Sequence, residues 1–526
     1  MESSISPPTI LTALAATLLL TLTILLLSDL HTQHHLPPGP LPLPFIGNLL
    51  LLLNPNRKAH EVFRSLGHTY GPIFTFWHGR EPQLVISDPA TATSLLEAYS
   101  AIFSSRPRLV MLSEIYYQGS GLFTQAYGRE WTQRRRLMTH ALRPALLKGY
   151  GERQDAEGSR LVAELAAGVE WKEAFERYAA SIIFSTAYGR SINTLSSSVV
   201  REKKAQVQNF LHLAVPGRYW AETFPALIYM PDFLAPWKKA ARRMGDDDAA
   251  LNRRLVEDVR VQGKSAGDSL TKTLLTMDAE KEVSGRAFTQ IPGALFSAGL
   301  DTTMSALSTF LLALLTHPHI LSFARSEIDT VIGRTRAPVL EDEPALPYIT
   351  ALVREVLRWR PVTPFGIPHA STACFEWNGY VIPKGTVVLA SHWNISMNDE
   401  YYPLPELFEP SRFLSREHPR SRPEFKGREH PHKIGHNAFG WGRRICPGEA
   451  LATNTIFVAV AKMIWALDFE TVEGETYNVD DYVGGLTVRP RDFNCVVKVR
   501  GAERIKVIER ERIEAQKVME AYPPYD

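Results

Sequence analysis

Long apolar runs and short alternating segments mark the predicted elements of this chain. The apolar runs are Ile10–Leu27, Phe288–Thr316 and Ala450–Leu467. A helix that is apolar on every side is buried in a protein core or in a membrane. The segments Ile73–Phe76 and Gln83–Ile86 are rich in β-branched and aromatic residues, as paired strands are. The pattern therefore predicts three apolar helices and one small hairpin.

The first apolar run is long enough to cross a bilayer. Its 18 residues carry no charge, and as a helix they would span about 27 Å, at ~1.5 Å per residue. A cleaved signal peptide is the alternative, but signal peptides begin with a positively charged region, and Glu2 is the only charged residue before this run. We therefore expect an uncleaved anchor. Its orientation has little support, because lysine and arginine are absent before Arg57. The prolines of Leu36–Pro44 predict a stiff linker after it.

The composition is that of a globular protein with material for a large core. The chain has 526 residues, of which 45% are hydrophobic and 22% are charged. A net charge of +2 implies no strong polyanionic partner such as nucleic acid. The three cysteines, Cys374, Cys446 and Cys495, are too few and too scattered for a disulfide framework or a zinc site. They suit a reducing compartment.

One of these cysteines stands in a glycine-rich stretch just before an apolar helix. The stretch reads Phe439-Gly440-Trp441-Gly442-Arg443-Arg444-Ile445-Cys446-Pro447-Gly448, and Pro447 suits the first helical position. Backbone N–H groups and the positive end of the helix dipole would stabilise a thiolate at Cys446. Phe439 would shield the sulfur, and Arg444 is placed to meet an anion. A haem with its propionates requires this combination. The alternative is a buried structural cysteine after a glycine turn.

The interior of Phe288–Thr316 carries residues that a buried helix would not select. It contains Ala298-Gly299-Leu300-Asp301-Thr302-Thr303. Thr302 can donate a hydrogen bond to the carbonyl of Ala298 and loosen the helix there. Ala298 and Gly299 leave room for a small ligand, and Asp301 supplies an acid beside it. Thr302 as simple helix filler is the alternative, which its low helix propensity disfavours.

The cysteine stretch resembles the haem-binding loop of the cytochrome P450 superfamily. The matching positions are Phe439, Gly440, Gly442, Arg444, Cys446 and Gly448. The resemblance implies a haem b whose iron takes Cys446 as its axial ligand, with electron donation that favours splitting of the O–O bond. It also implies the family's fold, which is mainly α with a small β-rich lobe, here preceded by a single N-terminal transmembrane helix.

The resemblance assigns roles to further residues. Asp301 and Thr302 match the family's oxygen-activation motif and would organise protons for reduced dioxygen. Trp131 and Arg135 match a pair that contacts a haem propionate, although alone they fit a solvated basic face equally well. His369 occupies the position of another propionate contact. The implied haem contacts are Trp131, Arg135, Ala298, Gly299, His369, Phe439, Arg444 and Cys446.

A second group of residues would build the core and the substrate pocket. Glu355 and Arg358 share one helix face, and with Arg412 they would form the family's buried, structural charge cluster. A loop between Arg106 and Phe123 would roof the pocket, and the segments Ala205–Val215 and Phe224–Trp237 resemble the family's mobile lid and channel mouth. The implied pocket residues are Leu112, Phe123, Leu295, Phe365 and Leu486. They argue for a mainly apolar ligand.

Two segments are interpreted from the residues themselves. Tyr380–Thr386 is expected to form a hairpin that turns at Pro383-Lys384-Gly385. Four histidines occupy a proline- and arginine-rich tract without metal-ligand spacing. With two cations they are expected to form a basic docking surface for an acidic redox partner; these residues are His418, His430, His432, His436, Lys433 and Arg443.

The implied organisation has five parts. They are a tail at 1–9, an anchor at 10–28, a hinge at 29–48, a haem-thiolate catalytic domain at 49–500 and a charged tail at 501–526. No Gly-x-Gly-x-x-Gly follows a predicted strand, so NADPH itself is not expected to bind. Anchored family members receive electrons from the NADPH–cytochrome P450 reductase of the endoplasmic reticulum, with cytochrome b5 as a further candidate donor. The resemblance thus implies a single-pass protein of that membrane with a cytosolic catalytic domain.

The implied function is that of a monooxygenase that hydroxylates or epoxidises an apolar small molecule with O2 and NADPH-derived electrons. Val215-Pro216-Gly217 and the prolines after Trp220 resemble fungal members that tailor secondary metabolites, such as terpenoids, polyketides or indole alkaloids. Two alternatives stay open. One is a thiolate-haem isomerase or dehydratase that needs no external electrons, against which Asp301 and Thr302 count. The other is a haem-binding membrane protein without catalysis.

Overall fold

The structure is a computed structural model that describes residues 7–53, 57–214, 218–283 and 285–525. The side chains of residues 7–11, 13–15, 18 and 144 are not described. Two predictions therefore lie in part or wholly outside the described residues: the N-terminal tail at 1–9, and the resemblance carried by Val215-Pro216-Gly217.

Helices account for most of the described chain. In order they are α1 Pro7–His35, α2 Ala59–Tyr70, α3 Pro89–Thr93, α4 Ser100–Phe103, α5 Arg129–Ala141, α6 Pro144–Ala166, α7 Trp171–Tyr188, α8 Ser198–Leu213, α9 Trp220–Thr223, α10 Pro236–Gln262, α11 Leu270–Thr276, α12 Gly285–Thr316, α13 Pro318–Val331, α14 Pro347–Trp359, α15 His392–Ser396, α16 Glu449–Ala466 and α17 Ala502–Met519. A π-helical segment, Val110–Tyr116, precedes α5.

The strands are short and form small sheets. They are β1 Ile73–His78, β2 Glu81–Ile86, β3 His369–Ala370, β4 Phe375–Trp377, β5 Tyr380–Ile382, β6 Val387–Ala390, β7 Leu467–Thr471, β8 Tyr482–Gly484, β9 Val488–Pro490 and β10 Cys495–Val499. The predicted mainly helical protein with little β structure is confirmed.

The chain folds as two compact units, and the first comprises Met1–Pro107 and Ile367–Ile395. Its main sheet has the order β1-β2-β6-β3. β1 and β2 are antiparallel, with Ile73 opposite Ile86, which confirms the predicted hairpin. β2 and β6 are parallel although about 300 residues separate them in the chain. The domain limits inferred from the sequence remain predictions.

The hairpin predicted at Pro383-Lys384-Gly385 is wrong. β5 pairs instead with β4, so that the hairpin turns at Asn378-Gly379. Both turn residues have positive φ, 49° and 82°, which Asn-Gly adopts readily and which suits a two-residue hairpin. Gly385, with φ 87°, then redirects the chain into β6, which pairs with β2 and β3.

The second unit comprises Arg108–Gly366 and Ser396–Asp526. Its core is built on α12 and α16. Both are long and apolar enough to cross a membrane by length and composition, but 72% of each apolar window is buried inside the protein. They are therefore core helices, as the pattern predicted for Phe288–Thr316. The charged helix α17 packs along α6, and its Arg504 is paired with Asp329 of α13 at 2.9 Å.

Candidate functional site

The cysteine loop is closed by backbone hydrogen bonds. The N–H of Cys446 donates to the carbonyl of Phe439 at 2.8 Å, and the N–H of Gly440 donates to Asn437 at 2.9 Å. Gly440 adopts φ 81°, a conformation that favours glycine, and a Cβ there would meet open space. The loop therefore presents bare backbone beside the cysteine. The helix begins at Glu449 with Gly448 as its N-cap, so Pro447 precedes the helix and does not occupy its first position.

Cys446 is partly buried. Burial raises the pKa of the Cys446 thiol, while the N–H of Gly448 and the charge of Arg135 act in the opposite direction. A metal cation bound to the sulfur would act in the same direction as these two groups, because a coordinating thiol loses its proton.

Two arginines and a tryptophan surround the loop. Arg135 of α5 donates to the carbonyl of Ile445, and the described residues give its guanidinium no carboxylate partner. Burial lowers the pKa of Arg135, and the cysteine is the group that opposes this effect. Arg444 donates to the carbonyl of Gln125 at 2.7 Å and stacks on Trp131, 3.9 Å from the ring centroid. The predicted contacts Trp131, Arg135 and Arg444 are thus assembled around Cys446.

The middle of α12 is accessible although the stretches on either side of it, 288–296 and 303–314, are buried. Ala298, Gly299, Asp301 and Thr302 are each partly exposed. The Thr302 hydroxyl donates to the carbonyl of Ala298 at 2.8 Å, as predicted from the sequence. A Cβ on Gly299 would lie 2.5 Å from Ile183 of α7, so close helix packing gives a second reason for glycine at this position.

Asp301 has a partner that the sequence did not reveal. The hydroxyl of Thr487, in the turn between β8 and β9, donates to Asp301 Oδ2. The sequence had marked this turn only as pocket-lining, through Leu486. A threonine in a turn gives no local signal for a partner almost 190 residues earlier, since that contact depends on how the hairpin meets α12.

One hydrophobic cluster joins the cysteine helix, the Trp131 helix and α12. It contains Trp131 of α5, Leu295 and Leu300 of α12, Leu451 of α16 and Ile183 of α7. α12 and α16 also pack directly on each other. The cysteine loop and the accessible stretch of α12 are therefore carried by helices that share one core.

The predicted pocket residues occupy three environments. Leu295 is buried in that cluster and Phe123 packs against it. Leu112, 2% exposed, lies in a separate cluster with Leu213 and Ala221. Phe365 and Leu486 are partly exposed.

Glu222, which lies between the two predicted lid segments, contacts the predicted roof. The carboxylate of Glu222 accepts hydrogen bonds from the N–H groups of Val110 (3.0 Å) and Met111 (2.8 Å), at the start of the π-helical segment. Burial raises the pKa of Glu222, and the two N–H groups lower it. Glu222 was not identified from the sequence, because a single glutamate in a variable loop carries no signal of its partner.

The predicted charge cluster of Glu355, Arg358 and Arg412 is present. Glu355 and Arg358 are fully buried and hydrogen-bonded at 2.8 Å through Arg358 Nε. Arg412 Nε reaches the same carboxylate at 3.1 Å. The remaining donors of Arg358 bind the carbonyls of Ser396, Pro405 and Leu407.

The histidines singled out from the sequence differ in their surroundings. His369 belongs to the first unit, in β3, where its Nδ1 lies 2.8 Å from the carbonyl of Phe103. His436 is 2% exposed, so it does not contribute to a docking surface as expected. Burial lowers the pKa of His430 to about 4, which leaves that ring neutral at pH 7. Lys433 and Arg443 of the expected surface are exposed, so its charge rests on these two cations and not on His430 or His436.

A surface groove of about 530 Å³ beside α5 carries Arg443 and further basic side chains. Its lining carries no acidic residue: Tyr127, Trp131, Thr132, Arg135, Arg136, Thr139, His140, Arg143 and Arg443. Of its arginines, Arg136 is paired with Glu282 outside the groove.

The second unit thus has a helical core with a cysteine loop beside Arg135 and Arg444, and among the described residues no group of histidine, cysteine and acidic side chains could hold a metal ion. Comparison with known sequences identifies the family. The Cytochrome P450 family model matches residues 37–495. The chain is 33% identical to the cytochrome P450 monooxygenase aneD of Aspergillus aculeatus, over 95% of both chains. It is 32% identical to a cytochrome P450 monooxygenase of Armillaria gallica, over 97% of this chain and 98% of the relative. A third relative, a cytochrome P450 monooxygenase of Postia placenta, is 33% identical over 88% of this chain and 89% of its own.

The chain therefore belongs to the cytochrome P450 family, and it is a monooxygenase. The family implies a cysteine-ligated haem, dioxygen and electrons from a redox partner. The donor set fits this group. Cys446 offers a partly buried sulfur, and Arg135 is a partly buried guanidinium whose charge acts on this sulfur and which pairs with no carboxylate in the part of the chain described. An iron and an anionic propionate would satisfy both.

Proposed function

We propose that this protein inserts one oxygen atom from O2 into an apolar small molecule, by hydroxylation or epoxidation. For hydroxylation the balance is RH + O2 + NADPH + H⁺ giving ROH, H2O and NADP⁺. The observation that carries the proposal is the joint presence, on helices of one core, of the Cys446 loop and the accessible Ala298–Thr302 stretch with its acid.

Cys446, Trp131, Arg135 and Arg444 would hold the haem. When bound, the haem supplies the redox centre at which dioxygen is activated. Cys446 provides the sulfur ligand, and the partly buried guanidinium of Arg135 neutralises an anionic edge.

Asp301 and Thr302 would deliver protons to reduced dioxygen. The carboxyl group of Asp301 is partly accessible to water, and the Thr302 hydroxyl, which donates its hydrogen to the Ala298 carbonyl at 2.8 Å, keeps oxygen lone pairs that can accept a hydrogen bond from a proton donor in the pocket. The Glu222 contact with Val110 and Met111 would keep the roof closed and exclude water from the pocket.

The substrate is proposed to be a secondary-metabolite scaffold such as a terpenoid, polyketide or indole alkaloid. The predicted pocket side chains are leucines and phenylalanines, which favour an apolar ligand with few polar groups.

Electrons are proposed to come from NADPH through a separate reductase, with cytochrome b5 as a further donor. The groove beside α5 supports docking of an acidic partner, because Arg143 and Arg443 line it together with His140 and no acidic residue does.

We also propose that α1 anchors the protein in the endoplasmic reticulum membrane, with the catalytic part in the cytosol. The helix Pro7–His35 covers the predicted span, and among its described side chains Leu19, Leu20, Ile24 and Leu27 are each at least 57% exposed. In the second unit, the exposed aromatic side chains of Trp220, Tyr229 and Phe233 offer a further apolar contact for a membrane.

An optical titration of the purified, haem-loaded ferric protein tests the substrate class. The probes are representative terpenoids, polyketides and indole alkaloids, and the readout is the shift of the Soret band as a ligand displaces water from the iron. We expect a saturable shift with one class, followed by NADPH-dependent product with the reductase. Product without NADPH would indicate the isomerase or dehydratase. Absence of any shift with a normal carbonyl spectrum would contradict the substrate class.

A further inference from the structure

The acid of α12 is held by a hydroxyl group and not by a cation. Thr487 Oγ1 donates to Asp301 Oδ2, and no described lysine, arginine or histidine is paired with this carboxylate. The main-chain carbonyl of Asp301 separately accepts from Ser305 at 2.7 Å, so the helix backbone is fixed independently of the side chain. The orientation of the carboxyl group therefore depends on Thr487.

The turn that carries Thr487 is itself well defined. The N–H of Gly485 donates to the carbonyl of Thr487 at 3.0 Å. Gly484 has φ 126°, and a Cβ there would lie 2.1 Å from that carbonyl, so this close approach requires glycine. The N–H of Val488 donates to Val362 at 2.8 Å. The backbone thus fixes the Thr487 hydroxyl in front of α12.

A hydroxyl partner differs chemically from a cationic one. A nearby cation favours only the ionised carboxylate and lowers its readiness to take up a proton. A threonine hydroxyl donates to a carboxylate and can also accept from a carboxylic acid. It can therefore hold Asp301 in one orientation in both protonation states, which an acid that repeatedly releases and regains a proton requires.

We propose that Thr487 is the positioning residue for Asp301, and that it links the substrate-facing turn to the proton supply. Leu486, the neighbour of Thr487, is partly exposed in the same turn. A ligand that packs on Leu486 therefore contacts the same turn that orients the acid of the proton supply. The proposal rests on the proposed monooxygenase function and deepens it.

The first test compares Thr487→Val with Thr487→Ser in the haem-loaded full chain. Valine keeps the shape and removes the hydroxyl, whereas serine keeps the hydroxyl. The readout is oxygen consumption driven by NADPH and the reductase, without added substrate, in H2O and in D2O. We expect Thr487→Val to slow consumption several-fold and to raise its solvent isotope effect, while Thr487→Ser retains the wild-type isotope effect. A purely structural threonine would leave the isotope effect unchanged in both variants.

The second test is a double-mutant cycle of urea unfolding, which needs no turnover. Thr487→Val and Asp301→Ala each remove one partner of the bond and are each expected to lower the unfolding midpoint, and the double variant should be no less stable than the less stable of the two single variants. Additive losses, or an unchanged isotope effect in an active Thr487→Val protein, would overturn the proposal while leaving the proposed function intact. A wild-type protein that consumes no oxygen and gives no shifted carbonyl band would overturn both.

Discussion

Two carboxylates of the second unit, Glu355 and Asp301, are held in opposite ways. Glu355 is fully buried and accepts hydrogen bonds from Arg358, Arg412 and the N–H of Glu409. Asp301 is partly exposed and takes a single described side-chain partner, the hydroxyl of Thr487. The first is enclosed by fixed cations, and the second is open to water.

The difference separates a structural role from a chemical one. Removing a carboxylate from between two buried guanidiniums leaves two positive charges without their partner. A carboxyl group beside a hydroxyl can keep that hydrogen bond whether it accepts or donates. Burial and a charged neighbour therefore do not by themselves indicate catalysis, since the more buried of these two acids is the one whose hydrogen bonds hold the core together.

The largest effect is expected from Glu355→Ala. It leaves Arg358 and Arg412 buried without a counter-charge, which costs about 3–5 kcal/mol of unfolding free energy. Urea unfolding measures the loss. The matched control is Glu509→Ala, because Glu509 and Arg512 are also three residues apart but about half exposed on α17. We expect the control to match the wild type. Equal losses in the two variants would contradict the structural role of the Glu355 cluster.

Asp301→Asn should affect turnover rather than folding. The amide keeps the size of the side chain and can still bond to Thr487, so the unfolding midpoint should change little. Without the acid, product formation per haem should fall by roughly 100-fold, the lower end of what general acid catalysis contributes. Steady-state turnover with the reductase, on protein of verified haem content, measures this. If Asp301→Asn lost haem or stability to the same extent as Glu355→Ala, the result would contradict the assignment of a chemical role to Asp301 and a structural role to Glu355.

Lys203 extends the comparison to a buried cation. Its ammonium is fully buried between neutral acceptors, Gln206 at 3.1 Å and Asn252. Burial lowers the pKa of Lys203 from its ordinary 10.5 to about 7. Between these values the unfolded chain holds the proton and the folded chain does not, so stability should rise with pH across this window.

Lys203→Met should remove that rise, which for one lysine is at most about 1.4 kcal/mol per pH unit. Urea unfolding from pH 7 to 10 measures the slope. Lys204→Met is the control, since Lys204 is 46% exposed and paired with Glu176, and it should leave the slope as it is. An identical slope in wild type and Lys203→Met would show that Lys203 is not the group responsible.

Local patterns predicted the elements but not their long-range partners. The strands at 73–86, the helix over 288–316 and the Thr302 contact with Ala298 follow from residues close in sequence. The cluster of Glu355, Arg358 and Arg412 was predicted from the order of motifs along the chain, and in the structure these side chains are hydrogen-bonded. The pairing of β6 with β2 and the bond from Thr487 to Asp301 depend on how distant segments pack, and no periodicity encodes that.

Two local errors have physical causes. The Asn378-Gly379 turn was overlooked in favour of Pro383-Lys384-Gly385, although Asn-Gly is the stronger hairpin signal. The prediction that the histidines form a basic surface was wrong for two of them. His436 is buried, and burial lowers the pKa of His430 to about 4, so that its ring is neutral at pH 7. Sequence gives the kind of side chain, but its charge state depends on the burial that folding imposes.

The measurement that tests the central claim most directly is the absorption spectrum of the reduced, carbon monoxide-treated protein, for the wild type, Cys446→Ala and Cys374→Ala. Cys374 is exposed and serves as the control. If Cys446 is the haem ligand, the wild type and Cys374→Ala will show the red-shifted carbonyl band of a thiolate-bound haem, and Cys446→Ala will not. A shifted band that survives in Cys446→Ala would contradict the assignment of the haem site.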